Sequence, residues 1–198
     1  MRITGGELRG RRLKTPTAEG LRPTQDAVRE AVFSMLANVV GGARFLDLFA
    51  GTGAVGLEAF SRGAASVVWI ERDPRSFRLL QENITALAGD NLWLKAVNAD
   101  VFAWLGKAIP GRLGEPSPPF DIVYADPPYE TAASPDRTAE IMMALATAGV
   151  VAEGGYFVAE QRAGSNSDIP ATTGWELVTE RRYGRTKITV FKKLKVES

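Results

Sequence analysis

RFLDLFAGTGAVGLEA, running from Arg44 to Ala59, is a short apolar run, a glycine-rich loop and then a segment with helical spacing. It predicts strand, tight turn, helix. In such a unit the glycines let the backbone turn sharply and come close to a ligand with no Cβ in the way. The helix start then presents N–H groups that lack intrahelical partners. The expected occupant is a nucleotide-like small molecule.

Gly51-Thr52-Gly53-Ala54-Val55-Gly56 matches the dinucleotide pattern G-x-G-x-x-G, and Glu71 stands where a ribose-binding acid belongs. Asp47 argues against a pyrophosphate. It precedes the first glycine by four positions and sets a negative charge across a short loop from any anion. S-adenosylmethionine fits better, because it carries a sulfonium and an amino group, needs an acceptor for its ribose hydroxyls, and has no phosphate. The expected contacts run over Asp47, Phe49, Ala50, Gly51, Thr52 and Gly53, with Glu71 and Arg72 further on.

Outward from this unit, apolar runs and helical patterns alternate. Strands are expected over 45–49, 66–71, 92–97, 120–125 and 156–160, and helices over 54–62, from Asp73-Pro74 to Ala88, from Asp100, and over 136–148. Residues 175–180 and 187–192 close as an antiparallel pair. This order predicts a doubly wound, Rossmann-like α/β fold with a mainly parallel sheet and its ligand beyond the carboxyl ends of the strands. Ahead of it, Arg22-Pro23-Thr24 leads into a helix with Thr24 as N-cap, apolar positions at Val28, Val32, Met35, Leu36 and Val39, and a stop at Gly41-Gly42. Arg22 and Arg29 are expected to stay outside. Residues 1–15, MRITGGELRGRRLKT, read as a basic β-hairpin arm. The division is then an arm over 1–23 and a main domain over 24–198. The run 106–119 is rich in Gly and Pro and reads as a surface loop. Trp69, Trp93, Trp104 and Trp175 are assigned to core or sheet packing.

The 198 residues suffice for one well-buried core with an appendage, and their net charge of +1 is unevenly spread. Residues 1–25 and 174–198 each carry +4, which leaves −7 for the middle. That split points to polyanion contacts at the ends and a less basic, ligand-binding body. There is no histidine and no cysteine, which excludes a Ser-His-Asp triad, a cysteine nucleophile and Cys/His zinc sites. No metal site is expected. The opening Met1-Arg2-Ile3-Thr4 lacks the apolar region of a signal peptide, so the expectation is a cytoplasmic protein.

A second motif stands at the end of the fourth strand: Asp126-Pro127-Pro128-Tyr129. Two prolines fix φ and remove two backbone donors, leaving a carboxylate, carbonyls and an aromatic ring held at a strand end. The exocyclic amine of a nucleobase suits such a site. Asp126 and the Pro127 carbonyl can accept its N–H groups and aim its lone pair at a methyl sulfonium, while Tyr129 stacks on the base. In-line methyl transfer depends on orientation and charge placement more than on a strong base. The base must be flipped or unpaired, since its amine is inaccessible inside a helix.

Together, DLFAGTGAVGLEAFSRGA and DPPY resemble S-adenosylmethionine-dependent amino-methyltransferases. With RITGGELRGRRL, RPTQDAVREAVFSML, IERD, NADVF and YGRTKITVF, the chain resembles the RsmD family of 16S ribosomal RNA guanine-N2 methyltransferases over nearly its whole length. The resemblance implies methyl transfer to a guanine amine of 16S ribosomal RNA in the small subunit, at guanine 966, by a monomer. It places the methionine end of the cofactor at Asp47 and the Ala50–Gly53 loop, the ribose at Glu71, the adenine at Asp100 and Val101, and the guanine at Asp126 to Tyr129. Arg2, Arg9, Arg11, Arg12, Lys14, Arg22, Thr24 and Arg29 would meet the RNA. The alternatives are a DNA amino-methyltransferase, a nicotinamide dehydrogenase using GTGAVG, and an RNA-binding module that keeps the fold without the activity. The dehydrogenase leaves DPPY unexplained, and the binding module leaves the cofactor set unexplained.

Overall fold

The computed structural model describes residues 1–16, 23–107, 119–128, 136–165 and 174–195. Along the chain stand α1 (Pro23–Met35), β1 (Arg44–Leu48), α2 (Ala54–Ser61), β2 (Ser66–Glu71), α3 (Pro74–Ala88), β3 (Leu94–Asn98) and α4 (Val101–Leu105). There follow β4 (Phe120–Ala125), α5 (Thr138–Ala148), β5 (Val151–Arg162), β6 (Trp175–Tyr183) and β7 (Thr186–Lys193). The seven strands form one sheet in the order β3-β2-β1-β4-β5-β7-β6. Strands β1 to β5 pair in parallel, and β7 lies antiparallel between β5 and β6. From β1 the chain winds one way to β3 and then crosses back to β4, so the direction reverses between β1 and β4. Ligand crevices open at such a reversal.

The central strands β1, β2 and β4 are buried along almost their whole length because both faces of the sheet are covered there. Phe45, Val67, Trp69, Ile122 and Tyr124 face one core with Val28 and Val32 of α1, Leu57 of α2 and Leu80 of α3. Their neighbours Leu46, Val68, Ile70, Val123 and Ala125 face a second core with Trp104 of α4 and Ile141 and Leu145 of α5. Local chemistry sets the helix starts. Asp73 accepts the Ser76 N–H at 2.8 Å, with Pro74 in the first turn of α3; a cap of this kind contributes about 1 kcal/mol. Asp100 accepts from Phe102 and Ala103 at the start of α4.

Several boundaries differ from the sequence reading. Helix α1 begins at Pro23, so Thr24 lies in its first turn and not at the N-cap; proline needs no donor there. It ends at Met35, where Leu36 to Val39 continue as turns with Val39 N–H on the Leu36 carbonyl at 2.9 Å. Strand β1 closes at Leu48 because Phe49 turns to φ 60. Strand β3 starts at Leu94, since the Asn91 side chain accepts the Trp93 N–H at 2.9 Å and holds a turn. Trp93, expected in packing, is 53% exposed, whereas Trp69, Trp104 and Trp175 are buried. Strand β5 runs from Val151 through Gly154-Gly155, where its register against β4 shifts. The extra residues are absorbed as a bulge.

The N-terminal segment forms a minimal hairpin, with an antiparallel bridge between Arg2 and Arg12 and the Ile3 N–H on the Arg11 carbonyl at 2.9 Å. It does not project. Ile3 and Leu13 are buried in the first core, and the Glu7 N–H bonds the Ser61 carbonyl at 2.8 Å. Gly6 is required at this contact: its φ is 76, and a Cβ would fall 1.8 Å from the Ser61 oxygen.

The fastening point is Glu58 of α2, which is fully buried. One carboxylate oxygen accepts the Gly5 N–H at 2.7 Å, the Thr4 hydroxyl at 2.7 Å and Arg62 Nε at 2.9 Å; the other accepts the Thr4 N–H at 2.8 Å and Arg29 Nε at 3.1 Å. Burial pushes this carboxyl up, but the donors of Thr4 and the charges of Arg62 and Arg29 outweigh it and hold it below the ordinary value. Arg29 is thus not on the surface. It is 5% exposed, pairs with Asp26 at 3.0 Å as well as with Glu58, and donates to the Arg2 carbonyl. The expectation that it meets RNA phosphates fails for that reason.

Candidate active site

The register of the sheet brings the acids together. Asp47 of β1 lies beside Trp69 of β2 and Tyr124 of β4, on the α2 side of the sheet. Asp126 follows Ala125, and Glu160 follows Ala159; Ala125 and Ala159 are partners in β4 and β5. Asp126 and Glu160 therefore stand side by side at the carboxyl edge. Glu160 accepts the Tyr124 hydroxyl.

The glycine loop is already satisfied by the chain's own carboxylates. Asp47 accepts the Gly56 N–H at 2.9 Å, capping α2 from the neighbouring strand, because the helix opens on Gly53 with no capping side chain of its own. Gly53 sits at φ 82, and a Cβ there would fall 2.3 Å from a Leu80 methyl. Glu71 accepts the Gly51 N–H at 2.7 Å and the Asp73 N–H at 2.6 Å. An anion would compete with both acids for these donors, so a phosphate cradle is filled in advance. Phe49, in the left-handed region, carries backbone strain where the strand gives way to this loop.

Two cavities meet along the edge. The larger, of about 510 Å³, is walled by Phe49, Gly51, Ile70, Glu71, Arg72, Asp73, Val101 and Asp126 to Pro128. The smaller, of about 210 Å³, is walled by Asp47, Phe49 to Thr52, Tyr124, Asp126 and Glu160, and is closed by Met1, Gln25, Val28, Arg29 and Thr186. Phe49, Gly51 and Asp126 belong to both, so the two are compartments of one groove. Asp126 is exposed to that groove, yet protein surrounds it on its other sides. Burial first, then the charges of Glu160 and Asp47, push its carboxyl well above the ordinary range. Burial also raises Glu160, with the Tyr124 hydroxyl pulling the other way. Asp47 is raised to about 7 by burial, against the Gly56 N–H and with the charge of Glu71. Such a set of acids poised toward neutrality favours a bound cation and can take up a proton.

Of the expected residues, Asp47, Phe49 to Thr52, Glu71, Arg72, Val101 and Asp126 to Pro128 line the groove, and Gly53 turns the loop into α2. Asp100 does not line it. It is exposed and caps α4, leaving Val101 on the wall. Tyr129, Arg22 and most of the 106–119 loop lie outside the described residues, as does the side chain of Thr24. Arg2 and Arg9 are exposed beside a third cavity that also has Asp26 and Glu30 on its wall. Arg11 and Arg12 are exposed, Arg11 donating to the Ala86 carbonyl at 3.3 Å. Lys14 pairs with Glu82 at 2.8 Å on the open surface. Glu160, Tyr124, Gln25 and Thr186 were missed. Glu160 had a signal, an acid closing the strand expected next to the one that ends in Asp126.

The model of the family described as Conserved hypothetical protein 95 matches residues 1–192. The chain belongs to this, the RsmD family. The Ribosomal RNA small subunit methyltransferase D of Escherichia coli strain K12 is 42% identical over 129 residues, which are 65% of this chain and 60% of that protein. The aligned stretch thus spans about three fifths of that relative's length. Among solved structures, the yhhF protein of Escherichia coli shares the fold at a TM-score of 0.80, with 33% identity and 98% of each chain covered. More distantly, the Thermus thermophilus 16S rRNA N2 G1207 methyltransferase RsmC, in complex with AdoMet and guanosine, aligns at a TM-score of 0.66 with 23% identity, over 91% of this chain and 45% of that one. The RsmD-family chain therefore has the Rossmann-like fold of S-adenosylmethionine-dependent methyltransferases. No helix among its described residues is long and apolar enough to cross a membrane.

Proposed function

We propose that this RsmD-family chain is an enzyme that transfers a methyl group from S-adenosylmethionine to the N2 amine of a guanine in 16S ribosomal RNA of the small subunit, acting as a cytoplasmic monomer. The observation that carries the reading is the place of Asp126 at the junction of the two compartments, with acids and no phosphate cradle around it. The larger compartment suits adenosine: Glu71 can accept from ribose hydroxyls with its remaining lone pairs, and Val101 lies beside the ring. The smaller one holds Asp47 for the cationic end, and Asp126, shared by both, faces the incoming amine with the Pro127 carbonyl beside it on the wall of the larger.

Bound there, S-adenosylmethionine would supply an electrophilic methyl on a sulfonium. The residues of the chain orient the amine. Asp126 and the Pro127 carbonyl accept its two N–H bonds and so direct the nitrogen lone pair along the line of transfer. Transfer to the nitrogen would leave the S–C electron pair on sulfur, and the amine would have to give up one proton. Asp126, raised toward neutrality by burial and by Glu160 and Asp47, is placed to accept it.

Incubation with S-adenosylmethionine and either deproteinised 16S ribosomal RNA or small subunits, followed by nucleoside mass spectrometry, tests this. N2-methylguanosine is expected, and Asp126→Ala should remove most transfer while calorimetry finds cofactor affinity within a few-fold of wild type. No methylguanosine from either substrate, or normal turnover in Asp126→Ala, overturns the reading.

A further inference from the structure

The β6–β7 turn belongs to the same edge of the sheet as the groove. Because β7 runs antiparallel to β5, the end of β5 that carries Glu160 pairs with the start of β7, Glu160 opposite Ile188 and Arg162 opposite Thr186. Thr186 reaches the wall of the smaller cavity. The turn itself is Gly184-Arg185, with Gly184 at φ 59 and Arg185 absent from the positive-φ residues. That is the type II′ pattern, the tight link whose twist matches its strands. The Arg185 carbonyl accepts the Ala163 N–H at 2.8 Å, which fastens the tip to the end of β5.

Three exposed arginines ride on this fixed tip, Arg181, Arg182 and Arg185. Among the described residues none of the three has a carboxylate within ion-pair distance; Arg181 donates only to the Glu180 carbonyl, at 3.3 Å. Lys187 on the same hairpin is treated differently, being buried, bonded to the Ser165 carbonyl at 2.8 Å and 3.5 Å from Glu180. Arg181 lies opposite Ile188 and Arg182 opposite Lys187, so the charges fan out to both faces of the ribbon. Met1 lines the same cavity, and exposed Arg2 follows it. The smaller cavity is thus lined from both ends of the chain, by Met1 and by Thr186 next to the turn.

We propose that the β6–β7 turn is a phosphate clamp, in which Arg181, Arg182 and Arg185 grip the RNA backbone beside the guanine that enters the smaller cavity. The proposal rests on the methyltransferase reading for the identity of the polyanion. Guanidinium groups match phosphate oxygens in geometry and charge, and a rigid tip loses little entropy on binding. Phosphate contacts are blind to sequence, so the clamp positions the strand while the cavity selects the base.

The test is the affinity of Arg181→Gln/Arg182→Gln/Arg185→Gln for a 16S ribosomal RNA transcript across a salt series, with S-adenosylhomocysteine bound. The expected result is a log–log salt slope smaller than wild type by about two, at roughly 0.7 per phosphate contact on a single strand, with cofactor affinity unchanged. Lys192→Gln/Lys195→Gln, at the opposite end of the hairpin, should keep the wild-type slope. A triple variant with wild-type slope and affinity overturns the clamp, as does an equal loss in the distal pair. A wild type that methylates no RNA yet shows the hairpin-dependent slope would overturn the enzymatic reading and leave the clamp standing.

Discussion

Asp47 is 2% exposed. It caps α2 through the Gly56 N–H at 2.9 Å, and burial raises its carboxyl to about 7. An acid whose folded-state value lies above its ordinary 3.8 keeps a proton that the unfolded chain has released. Stability therefore falls as pH rises between the two values, by at most roughly 4 kcal/mol at pH 8. Asp47→Asn retains an oxygen acceptor for Gly56 and has nothing to titrate. Without added cofactor the variant should melt higher than wild type at pH 8 and alike at pH 4, while binding S-adenosylmethionine at least tenfold more weakly. Thermal melts at both pH values with a cofactor titration check this, and equal melting at pH 8 would show that Asp47 stores no such cost. The gain in stability and loss of binding come from one residue.

At the scale of elements, the N-terminal hairpin, α1 and α2 are tied through one buried carboxylate. Glu58 receives five hydrogen bonds from Thr4, Gly5, Arg29 and Arg62. Removing it leaves Arg29 buried with Asp26 as its remaining acid partner and two backbone donors unsatisfied. Loss of one partner from a buried ionic network costs about 3–5 kcal/mol. Glu58→Ala should show that loss in denaturant melts and should free the hairpin, seen as faster tryptic cleavage between Arg9 and Arg12. Since the Glu58 carboxyl is held below its ordinary 4.5, its contribution is present above that pH and fades as pH falls below it. An Ala variant with wild-type melting and wild-type cleavage would remove Glu58 from this role. The docking matters to the groove, because Met1 and Arg29 close the smaller cavity.

Across the whole molecule, the split of +4, −7 and +4 becomes a spatial arrangement. The acidic body forms the groove, and each basic end reaches the wall of its smaller cavity, through Met1 and Thr186. Arg9, Arg11 and Arg12 are exposed on the docked hairpin, outside the core. Their replacement together by Ala should weaken binding to unrelated RNAs alike, lower the salt slope by two to three, and spare cofactor affinity. Filter binding at several salt concentrations, beside calorimetry with S-adenosylmethionine, decides it; unchanged slopes would make these arginines solvated charge only. The hairpin that carries them is held by the same core as the sheet.

Local patterns determined much of this protein. Apolar runs alternating with helical spacing led to the doubly wound sheet, Asp73 and Asp100 marked helix starts by their own capping chemistry, and DLFAGTG and DPPY marked the crevice at the ends of β1 and β4. These signals are short in range, so adjacent residues suffice to carry them. Tertiary structure decided the rest, because it depended on partners far along the chain. Arg29 looked like a surface cation until Glu58, on another helix, drew it into the core. Asp47 looked like a bare charge until α2 lay across it. Glu160 joined Asp126 only through the register of β4 and β5, and Thr186 reached the cavity only because β7 turns back antiparallel. Strand register and burial are settled by contacts between distant segments, and no spacing within either segment records them.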